Sequence, residues 1–155
     1  LIETPPLYEN LTAYENLKVR AELLKLSDER IREVLEIVGL KNTEKKRAGQ
    51  FSLGMKQRLG IALAILNKPR LLILDEPTNG LDPVGIEELR ELICSFPEQG
   101  ITVILSSHIL SEVEQIADDI GIISNGKLGY EGKLHSGENL EQLFMRIVKE
   151  HRKEF

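Results

Sequence analysis

The sequence predicts an α/β fold preceded by a small helical unit, and three patterns support this prediction. Two short apolar runs, residues 71–74 and residues 101–105, are typical of strands buried on both faces of a parallel sheet. Helical patterns alternate with such runs from residue 71 onward, as they do in parallel sheets. An Asn125-Gly126 pair, which favours a tight hairpin turn, follows a third apolar run.

The first fifty residues have the pattern of a helical unit. A Thr-x-x-Glu capping box precedes an apolar run of helical period, which predicts a helix over about 13–25. A second amphipathic helix follows, with a polar cap before it and a glycine after it. The predicted cap and end residues are Thr12, Ser27 or Asp28, and Gly39.

The remaining residues alternate between strand and helix patterns. Helices are predicted over 53–67, 83–95, 109–117 and 138–150, and strands over 71–74, 101–105, 120–123 and 127–130.

Composition excludes several classes of protein. The 155 residues include 25 acidic and 20 basic ones, a formal charge of −5, so no general basic surface indicates nucleic acid as a partner. The longest apolar runs fall far short of the roughly 20 residues that a membrane-spanning helix needs. The one cysteine, Cys94, excludes an internal disulfide and a multi-cysteine zinc site.

Two predicted strands end in chemically demanding residues. Because ligands bind at the carboxyl ends of parallel strands, Asp75, Glu76 and His108 are candidate site residues. Asp75 can hold Mg²⁺ directly or through water, and Glu76 can accept a proton from an attacking water. His108 can contact a terminal phosphate. Taken singly, each has a plainer interpretation: the acidic pair as a cap or turn, and the histidine as an ordinary surface residue.

Four motifs resemble those of the ATPase subunit of ABC transporters. Residues 51–58 (FSLGMKQR) resemble the signature motif, and residues 71–77 (LLILDEP) resemble Walker B followed by the catalytic glutamate. Residues 80–83 (GLDP) resemble the D-loop, and Ser107-His108 matches the switch histidine. The motifs stand in the family's order and at its spacings. The resemblance implies a partial P-loop NTPase domain: a helical subdomain plus the C-terminal part of a mainly parallel sheet.

The resemblance also implies a domain organisation. Residues 1–50 match the Q-loop and helical subdomain; residues 51–155 match the signature helix, the core from Walker B to the switch region, and the C-terminal hairpin and helix. No G-x-x-x-x-G-K-[ST] occurs in the sequence. That loop cradles the phosphates and precedes the Q-loop in the family. We therefore expect one incomplete domain, an inactive fragment that lacks the Walker A part.

The signature departs from the commonest family pattern. Leu53 and Met55 stand where glycine and glutamine are usual, whereas Ser52 and Gly54 remain. Ser52 lies at a helix start, and Gly54 lets a phosphate approach the backbone closely. The resemblance implies that Ser52, Gly54 and Met55 contact nucleotide.

Glu3 stands where the family usually has the Q-loop glutamine. With the pattern of residues 8–17 (YENLTAYENL) and the variant signature, this resembles the subgroup that serves bacitracin and lantibiotic resistance exporters. A carboxylate at position 3 can still meet Mg²⁺ or a water, and its plainer interpretation is a surface acid in a proline-rich loop.

The resemblance implies an ATP-hydrolysing subunit that uses Mg²⁺ and energises a separate membrane permease, in an exporter of peptide-antibiotic compounds. The implied roles are Glu76 as general base, His108 as γ-phosphate sensor and Asp75 as the Mg²⁺ residue. Glu3 would contact the nucleotide or serve as a further ligand of the same Mg²⁺. Asp82 would link the two nucleotide sites of a dimer.

The implied partners are a second ATPase subunit, identical or different, and a permease that docks on residues 1–50. The protein would then lie in the cytoplasm at the inner face of the membrane, and no nucleic-acid partner is expected.

Two alternatives stay open. One is a soluble ABC-type ATPase, associated with ribosomes or chromosomes; the other is a degenerate partner that does not hydrolyse ATP. The sequence has no long heptad run between Glu3 and Phe51, which counts against the chromosome-associated class. Ribosome-associated members usually carry two cassettes, so the length of the intact chain would test that class.

Overall fold

A computed structural model describes residues 5–43, 45–133 and 139–152. The chain divides into two compact units, Leu1–Ser106 and Ser107–Phe155. The boundary predicted between residues 50 and 51 lies within the first unit. No helix of the described ranges is long and apolar enough to cross a membrane.

The first unit combines helices with a parallel strand pair. In chain order its elements are α1 (Ala13–Leu24), α2 (Asp28–Ile37), α3 (Leu53–Ile65), β1 (Leu71–Asp75), α4 (Pro83–Ser95) and β2 (Thr102–Ser106). The predicted helices and strands of this unit are confirmed to within two residues at each end.

The start of α1 is fixed by side-chain hydrogen bonds. The predicted capping box is present: the Glu15 N–H donates to Thr12 Oγ1 at 3.2 Å, and the Thr12 N–H donates to Glu15 Oε2 at 2.8 Å. The buried Asn16 side chain accepts from the Tyr8 N–H at 2.9 Å and donates to the Tyr8 carbonyl at 3.1 Å. These bonds hold the preceding loop against the first turn of α1.

The end of α3 is capped by a side chain from α2. The Arg30 guanidinium donates through Nη2 to the Ile65 carbonyl at 2.7 Å and through Nε to the Leu66 carbonyl at 2.9 Å. Its Nη1 also lies 2.9 Å from Glu33 Oε2. A cation at the last carbonyls of a helix both satisfies them and opposes the helix dipole. Arg30 therefore fixes the point where the chain leaves α3 and turns toward β1.

The strands β1 and β2 pair in parallel, as the sequence predicted, with Leu71 opposite Thr102 and Asp75 opposite Ser106. The prediction of burial on both faces is wrong. Leu72 and Leu74 are buried, but Leu71 and Ile73 are 48% and 55% exposed. The described residues pack on only one face of this sheet. Successive apolar side chains of β1 therefore alternate between buried and solvent-exposed.

The second unit contains a hairpin packed against helices. Its elements are α5 (Leu110–Ile116), β3 (Asp119–Ser124), β4 (Lys127–Lys133) and α6 (Leu140–Arg152). The strands β3 and β4 are antiparallel. Asn125 and Gly126 have φ of 52° and 75°, the left-handed conformation that a two-residue hairpin turn requires, which confirms the predicted turn.

The core of the second unit lies between the hairpin and α6. Its buried residues are Ile120, Ile122, Leu140, Leu143 and Ile147.

The capping box of α1 makes stability depend on pH. The hydrogen bonds from the Thr12 backbone and side chain lower the pKa of Glu15 below its ordinary value of 4.5. A lowered pKa in the folded state stabilises the fold above pH 4.5, and this contribution is lost as the pH falls through the lowered value. We expect Glu15→Gln to reduce the free energy of unfolding at pH 7, with a smaller difference from the parent in acid.

Urea unfolding at pH 7 and at a pH well below 4.5 measures this difference. Glu91→Gln, which changes an exposed glutamate of α4, is the control. A Glu15→Gln effect of equal size at both pH values would contradict the expectation.

Candidate functional site

At the carboxyl ends of β1 and β2, two acidic residues share one serine as a hydrogen-bond partner. Asp75 is bonded through its side chain and Glu76 through its backbone N–H. Ser106 Oγ donates to Asp75 Oδ1 at 2.5 Å. The Glu76 N–H donates to both Ser106 Oγ and the Ser106 carbonyl, each at 3.2 Å. The sequence prediction missed Ser106 as a site residue. The sequence feature that could have identified Ser106 is a hydroxyl side chain directly after an apolar run, on the strand that pairs with β1.

Glu76 has an unusual backbone conformation. Its φ is 45°, in the left-handed region, which costs a non-glycine residue on the order of 1 kcal/mol. Its carbonyl accepts from the Asn79 N–H at 3.1 Å, so a turn begins immediately after the strand. Strain of this kind is concentrated at functional sites, and here it falls on the residue predicted to act as general base.

The residues of the signature-like motif form the start of α3. Ser52 is the N-cap, and the Met55 N–H donates to its Oγ at 3.3 Å. The Ser52 hydroxyl keeps its own proton for a further acceptor. Free N–H groups at a helix start attract anions, so the local geometry suits a phosphate.

A groove of about 490 Å³ runs between the start of α3 and the segment that leads into α4. Four residues predicted from the signature-like and D-loop-like motifs to contact or couple nucleotide sites line it. These are Ser52, Gly54, Met55 and Asp82.

Asp82 has a clear role in the fold. It is the N-cap of α4: the Gly85 N–H donates to Asp82 Oδ1 at 2.8 Å, and Pro83 occupies the first helical position. Its predicted coupling of two sites stays a prediction.

Three glycines of the groove differ in what a side chain would meet. A Cβ at Gly85 would lie 2.8 Å from Asp82 Oδ1, and one at Gly80, where φ is +76°, would lie 3.1 Å from Leu53 Cδ2. A Cβ at Gly54 would meet Leu81 Cδ2 at 3.8 Å, an ordinary contact. A side chain at position 80 or 85 would therefore be strained, whereas position 54 leaves room for one.

Two basic residues tie α3 to its surroundings. Arg58 forms an ion pair with Glu88 of α4. Lys56 Nζ lies 3.1 Å from Glu9 Oε1, in the loop before α1. The start of α3 is thus connected both to the segment on the other side of the groove and to the loop that Asn16 holds.

The remaining predicted site residues are His108 and Glu3. His108 is an exposed residue of the second unit, just before α5. The preceding Ser107 accepts the Ile109 N–H on its Oγ at 3.1 Å. Glu3 lies outside the described residues.

Among the described residues, no three His, Cys, Asp or Glu side chains cluster in a way that could hold a metal ion. Mg²⁺ is usually bound by one or two carboxylates together with substrate phosphates. Asp75, a single carboxylate at a strand end with one oxygen hydrogen-bonded, fits a Mg²⁺ ion that arrives with a nucleotide.

Comparison with known proteins gives a consistent result. The family model described as "ABC transporter" matches residues 1–79. The lantibiotic transport ATP-binding protein SrtF of Streptococcus pyogenes is 58% identical over 144 residues, which are 93% of this chain and 63% of that protein. The bacitracin transport ATP-binding protein BcrA of Bacillus licheniformis is 59% identical over 130 residues, 83% of this chain and 42% of that protein. The chain thus spans about two fifths to two thirds of the length of these relatives.

Solved structures agree in fold. The ATP-binding subunit of an ABC transporter is 34% identical with a TM-score of 0.77, over 94% of this chain and 66% of that one. An ATP-binding cassette in its ADP conformation is 21% identical with a TM-score of 0.80, over 96% of this chain and 65% of that one, which shows likeness of fold.

The left-handed conformation of Glu76 can be tested by stability. Glu76→Gly and Glu76→Ala remove the same carboxylate, so their difference isolates the backbone. We expect the glycine variant to have a free energy of unfolding about 0.5–1 kcal/mol higher than the alanine variant, because glycine adopts positive φ without a steric penalty. Urea unfolding measures both.

The same pair of substitutions at Glu91, within α4, is the control. There glycine should be less stable than alanine by about 1 kcal/mol. An alanine variant at position 76 that is as stable as the glycine variant would contradict the conformation described.

The contrast among the glycines gives a second test. Gly54→Ala should leave the free energy of unfolding unchanged or raise it by up to about 1 kcal/mol, because alanine favours the helix. Gly85→Ala should lower it by about 1–2 kcal/mol, because the new Cβ displaces the Asp82 cap. Thermal or urea unfolding compares the two variants, and equal effects would show that the groove does not have the described packing.

Proposed function

We propose a function on the premise that this chain belongs to the ABC transporter family, as the family match and the relatives establish. The whole protein binds and hydrolyses ATP and energises a separate membrane permease. One observation carries the proposal: Asp75 and Glu76 follow each other at the carboxyl end of β1 and share Ser106 as hydrogen-bond partner. The two acids lie at the edge where parallel sheets bind ligands, which supports the proposal that Asp75 binds a metal and Glu76 accepts a proton.

Each residue of the site has a proposed task. Asp75 holds Mg²⁺, which when bound neutralises charge on the phosphates. Glu76 accepts the proton of the attacking water. His108 contacts the terminal phosphate as a donor, and Glu3 contacts Mg²⁺ or a water.

The groove supports a shared site between two subunits. Ser52 and the N–H groups at the start of α3 donate to a phosphate of the nucleotide that the second subunit holds. Gly54 has no side chain and so leaves the groove open to a phosphate. Packing within the chain does not itself demand glycine at this position. Met55 lines the same groove. Asp82 links the two sites through its place at the start of α4.

Such a site couples nucleotide to closure of the dimer. A ligand stabilises the form that it binds best, so ATP held between two subunits favours the closed form. Hydrolysis removes the terminal phosphate, and the dimer reopens. The second subunit is either identical or a homologous partner.

The proposed cargo class is based on the names of the relatives. The proteins SrtF and BcrA are named for lantibiotic and bacitracin transport, and we propose peptide antibiotics as cargo of the same kind, moved outward. The permease docks on residues 1–50 from the membrane side, with the protein in the cytoplasm. The loop before α1 suits this contact because Asn16 holds it in place while Tyr8 is 56% exposed.

The 155 residues by themselves are proposed to be inactive. The printed sequence contains no G-x-x-x-x-G-K-[ST], the loop whose N–H groups and lysine hold the phosphates.

The role of Glu76 is tested in the whole protein. Glu76→Gln keeps the size of the side chain but removes the proton acceptor, so we expect the rate of ATP hydrolysis to fall about a hundredfold or more. ATP binding should persist and trap a closed dimer, which size-exclusion chromatography with Mg-ATP detects. Glu91→Gln is the matched control, and the 155-residue chain should show no activity. Hydrolysis by Glu76→Gln at the parental rate would disprove the assignment of the base.

A further inference from the structure

We propose that Ser106 is a positioning residue that holds the Asp75 carboxylate in place for Mg²⁺ and thereby sets the magnesium affinity of the nucleotide site. This inference rests on the proposed function. It assigns a task to a residue that the sequence motifs leave without one, and it identifies the ligand concerned as the divalent cation that accompanies the nucleotide.

The Ser106 hydroxyl is fixed from two sides. Its proton is donated to Asp75 Oδ1 at 2.5 Å, the length of a charge-assisted bond to a carboxylate. Its oxygen accepts the Glu76 N–H at 3.2 Å. Because donor and acceptor are both used, the hydroxyl cannot rotate without breaking a bond, and the carboxylate that it holds is restrained in turn.

The bond leaves half of the carboxylate for the metal. Oδ1 accepts from Ser106, so Oδ2 is the oxygen that can meet Mg²⁺ or a metal-bound water. Both residues are exposed at the end of the sheet, where an unrestrained aspartate would sample several rotamers. Holding the side chain beforehand reduces the entropy that metal binding costs.

Strand register makes the arrangement specific to position 106. Asp75 and Ser106 are directly opposite in the parallel pair, and the same serine meets the backbone of Glu76. One oxygen atom therefore connects the acid that holds the metal to the acid that receives the proton. The neighbouring Ser107 is used differently, because its Oγ accepts the Ile109 N–H before α5.

The test compares Ser106→Ala and Ser106→Thr in the whole protein. Threonine keeps the hydroxyl, and alanine removes it. Ser95→Ala is the matched control, since the Ser95 hydroxyl donates to the Leu92 carbonyl at 2.7 Å within α4. Binding of a non-hydrolysable ATP analogue is measured by titration calorimetry with Mg²⁺ and again with EDTA. The Mg²⁺ concentration for half-maximal hydrolysis is the second readout.

We expect Ser106→Ala to weaken binding about fivefold to tenfold with Mg²⁺ and to leave binding in EDTA unchanged. The Mg²⁺ concentration for half-maximal hydrolysis should rise by a similar factor, and Ser106→Thr should restore both values to within about twofold of the parent. Ser95→Ala should match the parent throughout.

Other outcomes overturn the inference. Equal losses with Mg²⁺ and with EDTA would indicate a general effect on folding, and failure of threonine to restore the affinity would exclude the hydroxyl as the cause. If the parent shows Mg²⁺-dependent binding and Ser106→Ala is unchanged, the inference alone fails. A parent protein that binds no nucleotide overturns the proposed function, and this inference with it.

Discussion

The register of one parallel strand pair is the constraint on which the candidate site depends. Asp75 lies opposite Ser106 only in this register. A shift by one residue would turn the side chains of one strand to the opposite face and would separate the carboxylate from the hydroxyl. Burial of Leu72 and Leu74 on one face opposes such a shift. Apolar packing inside the first unit therefore fixes the position of polar atoms at its edge.

The helix α3 joins the two parts of this site. It begins at Ser52, beside the groove, and ends at the carbonyls that Arg30 caps, a few residues before β1. Both ends are thus held by side chains, and the ion pair between Arg58 and Glu88 holds its flank. A rigid element with fixed ends keeps the start of the helix, where we propose that phosphate binds, and the strand-end carboxylates in a constant relation within the first unit.

The sequence predicted those features that depend on local signals. The capping box at Thr12, the Asn125-Gly126 turn and the bounds of α4 each follow from residues within one turn of the chain. The missed features depend on residues distant in sequence. The link between Asp75 and Ser106 spans 31 positions, and the open face of β1 reflects which neighbours pack on the sheet. The roles predicted for the site residues stay predictions, because they concern a nucleotide and a second subunit.

The glycines of the groove carry an evolutionary consequence. Sterics and backbone conformation favour glycine at 85 and 80, so a copy of this domain that replaced either one would lose stability. Packing within the chain places no such demand on Gly54, and on the proposed function a bound phosphate would select for glycine there. In a lineage that lost nucleotide binding at this groove, position 54 would be free to change, while changes at 80 and 85 would still cost stability. On the proposed function, loss of that one glycine would therefore indicate that a domain with an unchanged fold no longer binds nucleotide at this groove.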